Sequence, residues 1–183
     1  MRRILLLMLL FILSLPDAFG QSDEEIQVAA QKAVRAYSLN GIQSSVQNGT
    51  VTLTGSVDLC RDRLLALETV KRIYGVKTIK DQIEVPGPRI PDAQLKAQIN
   101  QIIKDRIHKL GGFGYGSMKA NVKDGVVTLS GAAAPELTAP AINAIAGTLG
   151  VRNLIDNVVR VSHYDFAPFG ISGAPRMNTT RPQ

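Results

Sequence analysis

The chain has 183 residues, of which 45% are hydrophobic and 20% charged, so its composition is typical of a globular protein rather than a disordered one. One cysteine and two histidines are too few for an internal disulfide framework, a cysteine-based zinc site or a histidine-rich catalytic centre, which argues against most enzyme classes. The formal net charge is +6 and is unevenly distributed, because residues 86–161 contain nine basic and five acidic side chains whereas residues 23–85 contain eight of each.

The first 20 residues are typical of a secretory signal peptide. A basic pair, Arg2–Arg3, precedes an apolar run over Ile4–Leu15, and the small residues of Ala18–Gly20 suit cleavage before Gln21. The run is shorter than the roughly 20 apolar residues that span a bilayer. We therefore expect a periplasmic or secreted protein.

A helix is predicted at the start of the mature chain. Ser22 and Glu25 have the spacing of a capping box, and Asn40-Gly41 is a stop signal. Small and apolar side chains recur at helical spacing between these signals, at Ile26, Ala29, Ala30, Ala33, Val34 and Tyr37.

A hairpin, a second helix and a strand follow. Asn48-Gly49 is typical of a two-residue hairpin turn with positive φ at both positions, and alternating apolar residues flank it. The next helix has an apolar face made by Cys60, Leu64, Leu67, Val70 and Tyr74, so the cysteine is expected to be buried. A strand over residues 76–85 completes this segment.

The same pattern occurs a second time. Val46–Gly55 matches Val122–Gly131 at an offset of 76, so that Asp124-Gly125 takes the place of Asn48-Gly49. We expect Gly55 and Gly131 to end a strand, where the missing side chain permits a sharp turn toward the next helix. Two copies indicate a duplicated small domain, because a solenoid needs at least three repeats.

The second copy differs from the first in its helices. Pro91-Asp92 opens its first helix and Gly111-Gly112 ends it. The apolar stripe of this helix consists of Leu95, Ile99, Ile102, Ile103 and Ile107. Because proline is best tolerated in a first turn, Pro140 predicts that the next helix begins near Thr138 and ends near Leu149.

These elements predict an α+β protein of two tandem αββαβ domains, each with a small three-stranded mixed sheet packed on two helices. The predicted parts are a signal peptide (1–20), a first domain (21–85), a linker (86–91), a second domain (92–161) and a disordered tail (162–183).

The repeated residues resemble those of the BON domain family (bacterial OsmY and nodulation). They are Asn48-Gly49, Gly55 and Gly75-Val76, then Asp124-Gly125, Gly131 and Gly150-Val151. The resemblance covers most of the mature chain and implies an αββαβ fold, an envelope location, no catalysis, and binding to phospholipid surfaces or other envelope components. Relatives with two such domains include an osmotically inducible periplasmic protein and outer-membrane lipoproteins. This chain has no cysteine directly after the apolar run, so no lipid anchor is expected.

The third predicted helix and the loop after it contain the candidate contact residues. They are Lys96, Lys104, Arg106, Lys109, Phe113 and Tyr115. Bases attract anionic head groups, and aromatic side chains insert at a membrane interface. The alternative is structural, because cations are favoured at a helix C-terminus, the four bases form no single stripe, and the aromatic rings can fold back on the core.

No metal or catalytic site is predicted. His108 and His163 lack metal-ligand spacing, and no cofactor is expected. Nucleic acid is a poor fit, because no basic stripe is interleaved with stacking aromatic residues.

The sequence therefore predicts a non-enzymatic, exported envelope protein that associates weakly with anionic phospholipid membranes. Two alternatives stay open: a periplasmic chaperone or osmotic-stress factor that binds unfolded proteins, and an assembly module that docks on another envelope protein. Self-association is compatible with the last of these. Strong salt dependence is expected only for the lipid interpretation.

Overall fold

The computed structural model describes residues 21–110 and 115–162, which form two units that divide between Pro86 and Gly87. The first unit contains α1 (Asp23–Ala36), β1 (Ile42–Gln47), β2 (Thr50–Ser56), α2 (Cys60–Lys71) and β3 (Thr78–Glu84). The second contains α3 (Asp92–Lys109), β4 (Gly116–Lys123), β5 (Val126–Ala133), α4 (Pro135–Ala146) and β6 (Asn153–Arg160). The predicted fold class is confirmed. The proposed signal peptide and residues 163–183 of the proposed tail lie outside the described residues.

Each unit has a three-stranded mixed sheet in chain order. The central strand pairs antiparallel with the strand before it and parallel with the strand after it, in β1-β2-β3 and in β4-β5-β6. A parallel pair needs a crossover connection, and α2 and α4 supply it.

The helices pack on one face of each sheet. In the first unit Ile26 and Ala30 of α1 lie against Val51 and Leu53 of β2, and all four are almost fully buried. In the second unit the corresponding buried residues are Leu95 and Ile99 of α3 and Val127 and Leu129 of β5. Each unit therefore has its own aliphatic core.

The two hairpin turns have the predicted backbone. Asn48 and Gly49 have φ of 54° and 74°, and Asp124 and Gly125 have φ of 52° and 76°. Positive φ at both positions is the geometry that suits the twist of a two-residue hairpin.

Gly55 and Gly131 have a role in addition to the predicted one. Gly55 is the penultimate residue of β2 and Gly131 lies two residues before the last residue of β5, with φ of 116° and 119°. A Cβ atom would lie 2.0 Å from the Gly41 carbonyl oxygen at residue 55, and 2.4 Å from the Ser117 carbonyl oxygen at residue 131. Glycine is required because the neighbouring strand approaches too closely for any side chain.

The apolar faces predicted for α1 and α2 extend beyond the residues at which these helices end. Helix α1 ends at Ala36, Ser38 has a φ of 58°, and the buried Leu39 takes the place predicted for Tyr37, which is 52% exposed. Helix α2 ends at Lys71, so helical spacing does not apply to Tyr74 and does not put it on the apolar face. Its side chain is 76% exposed. In both cases the chain leaves the helix axis before the sequence pattern ends.

Helix α4 begins earlier than predicted. It starts at Pro135, continues through Pro140 and ends at Ala146. Leu137, fully buried, lies in the turn that Pro140 was expected to exclude. Burial of this turn therefore outweighs the hydrogen bond that Pro140 cannot donate.

Candidate functional site

The predicted basic residues lie on α3 and differ in exposure. Lys96, Lys104 and Lys109 are exposed, whereas Arg106 is half-buried, as expected for a base on the apolar side of the helix. Arg106 and Lys109 lie in the last turn of α3, near Lys104. Lys96 lies eight residues before Lys104, which is about 12 Å along a helix. Lys104, Arg106 and Lys109 therefore lie near the C-terminal end of α3 but on different sides of the helix, and Lys96 lies apart from them.

The predicted aromatic pair is only partly described. Tyr115 is half-buried directly before β4, and its carbonyl oxygen accepts a hydrogen bond from Ala134 N at 2.9 Å. Phe113 lies outside the described residues. His108 is exposed near the end of α3.

Helix α3 is held by its buried side and by a contact at its first residue. Leu95, Ile99 and Ile103 are buried, which leaves the lysines on the solvent side. The Asp92 carboxylate accepts hydrogen bonds from Asp124 N at 2.9 Å and Gly125 N at 3.3 Å. This contact fixes the start of the helix against the hairpin turn of the same unit.

The first unit contains the same contact. The Asp23 carboxylate accepts hydrogen bonds from Asn48 N at 2.6 Å and Gly49 N at 2.7 Å. Sequence reasoning missed this pair of contacts. The available signal was an aspartate at the first helical position in both copies, which the helix N-terminus also explains.

A second repeated aspartate lies on the third strand of each sheet. In the first unit Asp81 accepts a hydrogen bond from Arg63 Nε of α2 at 2.7 Å, and both side chains are about one-fifth exposed. In the second unit Thr138, only 1% exposed, takes the place of Arg63, and Asp156 instead pairs with Arg160 of its own strand.

The Asp156 pair shifts both ionisation equilibria. The hydrogen bond from the Arg160 guanidinium lowers the pKa of the Asp156 carboxyl, with a further lowering by the bond from Val158 N. The same hydrogen bond raises the pKa of Arg160. Burial opposes both shifts, and the pair is partly exposed, so its contribution to stability is modest.

The single cysteine is a core residue. Cys60 is fully buried at the start of α2, as predicted from its place on the apolar face. Burial raises the pKa of its thiol, against a lowering by the nearby Arg63. The thiol is therefore neither ionised nor accessible at neutral pH.

The described residues include an open cleft of about 540 Å³ beside the hairpin turn of the second unit. Arg89 and Arg152 line it together with Asp92 and Asp124, so bases and acids are balanced there. In the described ranges, no three histidine, cysteine or acidic side chains are grouped closely enough to hold a metal ion. No helix within them is long and apolar enough to cross a membrane.

The chain matches a known family of protein domains. The BON domain model matches residues 22–87 and 92–162, and BON domains are a non-catalytic family associated with phospholipid binding. No curated protein matches the chain significantly.

Two solved structures of CdsD, a structural protein of the Type III secretion system of Chlamydia trachomatis, are similar at 12% identity. The alignment with the first, the C-terminal domain, covers 78% of this chain and 100% of the CdsD chain, with a TM-score of 0.31. The alignment with the second covers 73% of this chain and 91% of the CdsD chain, with a TM-score of 0.28. The family assignment rests instead on the two domain matches, which coincide with the two αββαβ units. This protein therefore belongs to the BON domain family and contains two tandem BON domains.

Proposed function

We propose that this protein is a non-enzymatic, exported envelope protein that associates weakly with anionic phospholipid surfaces through its second BON domain. We place it in the periplasm or outside the cell after cleavage before Gln21. The observation that carries the proposal is the exposure of Lys96, Lys104 and Lys109 on α3 of a domain whose family is associated with phospholipid binding.

The comparison of the two domains supports α3 as the contact helix. When the helices are aligned on Asp23 and Asp92, only Lys104 of the three lysines has a basic counterpart, which is Arg35. Lys96 corresponds to Gln27, and Lys109 corresponds to Asn40. The extra positive charge thus belongs to the second domain.

The expected affinity is low. Each base near an anionic surface contributes about 1 kcal/mol, so three bases contribute roughly 3 kcal/mol, or about a hundredfold. Stable attachment would need apolar insertion as well, and Phe113 is the nearest candidate for it in the sequence.

The test is co-sedimentation of residues 21–183 with phosphatidylglycerol-containing and pure phosphatidylcholine vesicles, at low and at about 0.15 M salt. We expect binding to the anionic vesicles alone, weakened by salt and by the triple variant Lys96→Gln, Lys104→Gln and Lys109→Gln. The matched control is the triple variant Lys71→Gln, Lys77→Gln and Lys80→Gln, which removes the same charge from the first domain. Absence of binding at low salt contradicts the proposal, and equal loss in both variants contradicts the site.

The same protein, residues 21–183, can be used to test the two alternatives, a chaperone and an assembly module. A chaperone would suppress aggregation of an unfolded client with little dependence on salt. An assembly module would bind one partner stoichiometrically and would be insensitive to the vesicles.

A further inference from the structure

The free edges of the two sheets differ in how their backbone is satisfied. A three-stranded sheet has two edge strands, and the N–H and C=O groups that point away from the sheet can pair with another chain. On β1, Gln27 Nε2 donates to the outward Ser44 carbonyl at 2.8 Å. Ile42 N, also outward, donates to Leu39 O at 3.1 Å.

On the third strand of each sheet, side chains also form hydrogen bonds with backbone groups of the outer edge. Ile83 N of β3 donates to Asp81 Oδ1 at 3.0 Å, and Val158 N of β6 donates to Asp156 Oδ1 at 3.1 Å. The Val158 carbonyl accepts a bond from Arg160 Nη1 at 2.5 Å. These side chains occupy groups that an added strand would need.

Strand β4 is different. Because Lys123 and Val126 close the two-residue turn as a hydrogen-bonded pair, alternate residues of β4 direct their backbone groups outward. These residues are Gly116, Met118, Ala120 and Val122. Within the described ranges, no side chain is hydrogen-bonded to any of these groups, although β4 has eight residues and β1 has six.

The duplicated sequence explains the difference at one position. Gln27 and Lys96 both lie four residues after the aspartate that contacts the hairpin turn. The glutamine bonds to the edge of β1, whereas the lysine is exposed and makes no described bond to β4. The substitution removes the side chain that would occupy the Ala120 carbonyl.

We propose that the free edge of β4 binds an extended segment of another protein by strand addition. The main chain of the segment would pair with the outward groups of Met118, Ala120 and Val122, as in other complexes in which a peptide extends a sheet. By its correspondence with Gln27, Lys96 of the lipid-contact helix lies next to this edge, so the two sites adjoin. The inference about the edge does not depend on the proposed function.

The charge of β4 specifies the partner. Lys119 and Lys123 are exposed on the outer face of the strand, where the matched positions of β1 carry Gln43 and Gln47. An added strand places a side chain opposite each lysine, and opposite charges across strands are favourable. The opposite face continues from the buried side chains of Met118 and Val122, so apolar residues fit there. The partner segment therefore alternates apolar with polar residues and has carboxylates four residues apart.

A second copy of this chain is a poorer partner. Pairing β4 with itself brings lysines of both chains onto one face as direct or diagonal neighbours, and like charges there are destabilising. The partner is thus an acidic segment rather than another β4.

The experiment measures binding of a labelled nine-residue peptide of alternating valine and threonine, in which two threonines four positions apart are replaced by glutamate. We expect binding that weakens with salt. Ala120→Pro removes an outward N–H without disturbing the β4–β5 ladder and should weaken binding about fivefold or more. Ser44→Pro, the matched change on β1, should have no effect. The pair Lys119→Gln and Lys123→Gln should weaken binding and remove its salt dependence.

A peptide methylated on its pairing backbone nitrogens keeps the same side chains and tests the hydrogen bonds without altering the protein. Equal binding of the methylated peptide, or no binding of the unmodified one, would overturn the proposal. A dimer in light scattering that Ala120→Pro dissociates would also overturn it, because it would assign the edge to a second copy. Vesicle binding by Ala120→Pro should match that of the unaltered chain, which separates this outcome from failure of the lipid proposal.

Discussion

At the residue scale, one aspartate in each domain connects the first helix to the hairpin turn. Asp23 and Asp92 each accept hydrogen bonds from two backbone N–H groups of the hairpin turn in their own domain. Hydrogen bonds to a charged group are stronger than neutral ones, and the carboxylate also favours the helix N-terminus. The same side chain therefore stabilises two elements that are distant in sequence.

We expect Asp23→Ala to lower the free energy of unfolding by about 1–3 kcal/mol, because two turn amides lose their acceptor. Urea unfolding followed by circular dichroism measures the change. Glu24→Ala is the control, since Glu24 is exposed in the same helical turn and makes no described bond to the hairpin. An equal loss in both variants would mean that only the helix dipole matters.

The Asp156–Arg160 pair predicts a pH dependence. The pKa of Asp156 is lower in the folded protein than in the unfolded chain, so the pair stabilises the fold above the unfolded value of about 3.9. This contribution is lost as the pH falls through the folded value. The stability difference between the unaltered chain and Asp156→Asn should therefore shrink below about pH 4. A difference that stays constant from neutral to acidic pH would show that the pair contributes nothing through ionisation.

At the element scale, α2 and α4 occupy the same place in their domains with very different surfaces. Helix α2 has five charged residues among 12, whereas Glu136 is the one charged residue of α4. The loss of Arg63 from this helix in the second copy leaves Asp156 to pair along its own strand. Helix α4 is consequently held by packing of its buried residues, among them Leu137, Ala141 and Ile145, without an ion pair to the sheet in the described residues.

Pro140 lies inside α4, where proline cannot donate a helical hydrogen bond. We expect Pro140→Ala to raise the free energy of unfolding by about 1–2 kcal/mol, because it restores a helical hydrogen bond at an exposed site and costs only some unfolded-state entropy. Thermal unfolding measures the change. Pro135→Ala should not stabilise, since proline is favoured in the first helical turn. A loss of stability in Pro140→Ala would show that its ring makes packing contacts that exceed the value of the bond.

At the scale of the whole molecule, the two domains share a backbone plan but have diverged at their surfaces. The first domain is balanced in charge and has side chains bonded to both of its sheet edges. The second has the excess of basic residues and one edge, β4, without such bonds among the described residues. Duplication conserves the positions that the fold requires and leaves the others to change, so the proposed lipid and peptide sites both fall in the second domain.

Local sequence signals were enough to predict the αββαβ plan, its duplication, both turns and the capping box of α1. These features depend on interactions within a few residues, namely positive φ in the turns and the bonds between Ser22 and Glu25 at 3.1 and 3.2 Å. Local periodicity also predicted the apolar stripe of α3, of which Leu95, Ile99 and Ile103 are buried.

The ends of the helices, the close approach of the chain at Gly55 and Gly131 and the contacts of the aspartates could be seen only in the folded protein. Each of these depends on an element distant in sequence: Leu39 enters the core, a neighbouring carbonyl excludes a Cβ, and Asp92 reaches a turn 32 residues away. Periodicity extends a helix until a local stop signal, whereas the folded chain ends it where packing requires. The state of each sheet edge likewise depends on which side chains the fold brings to it.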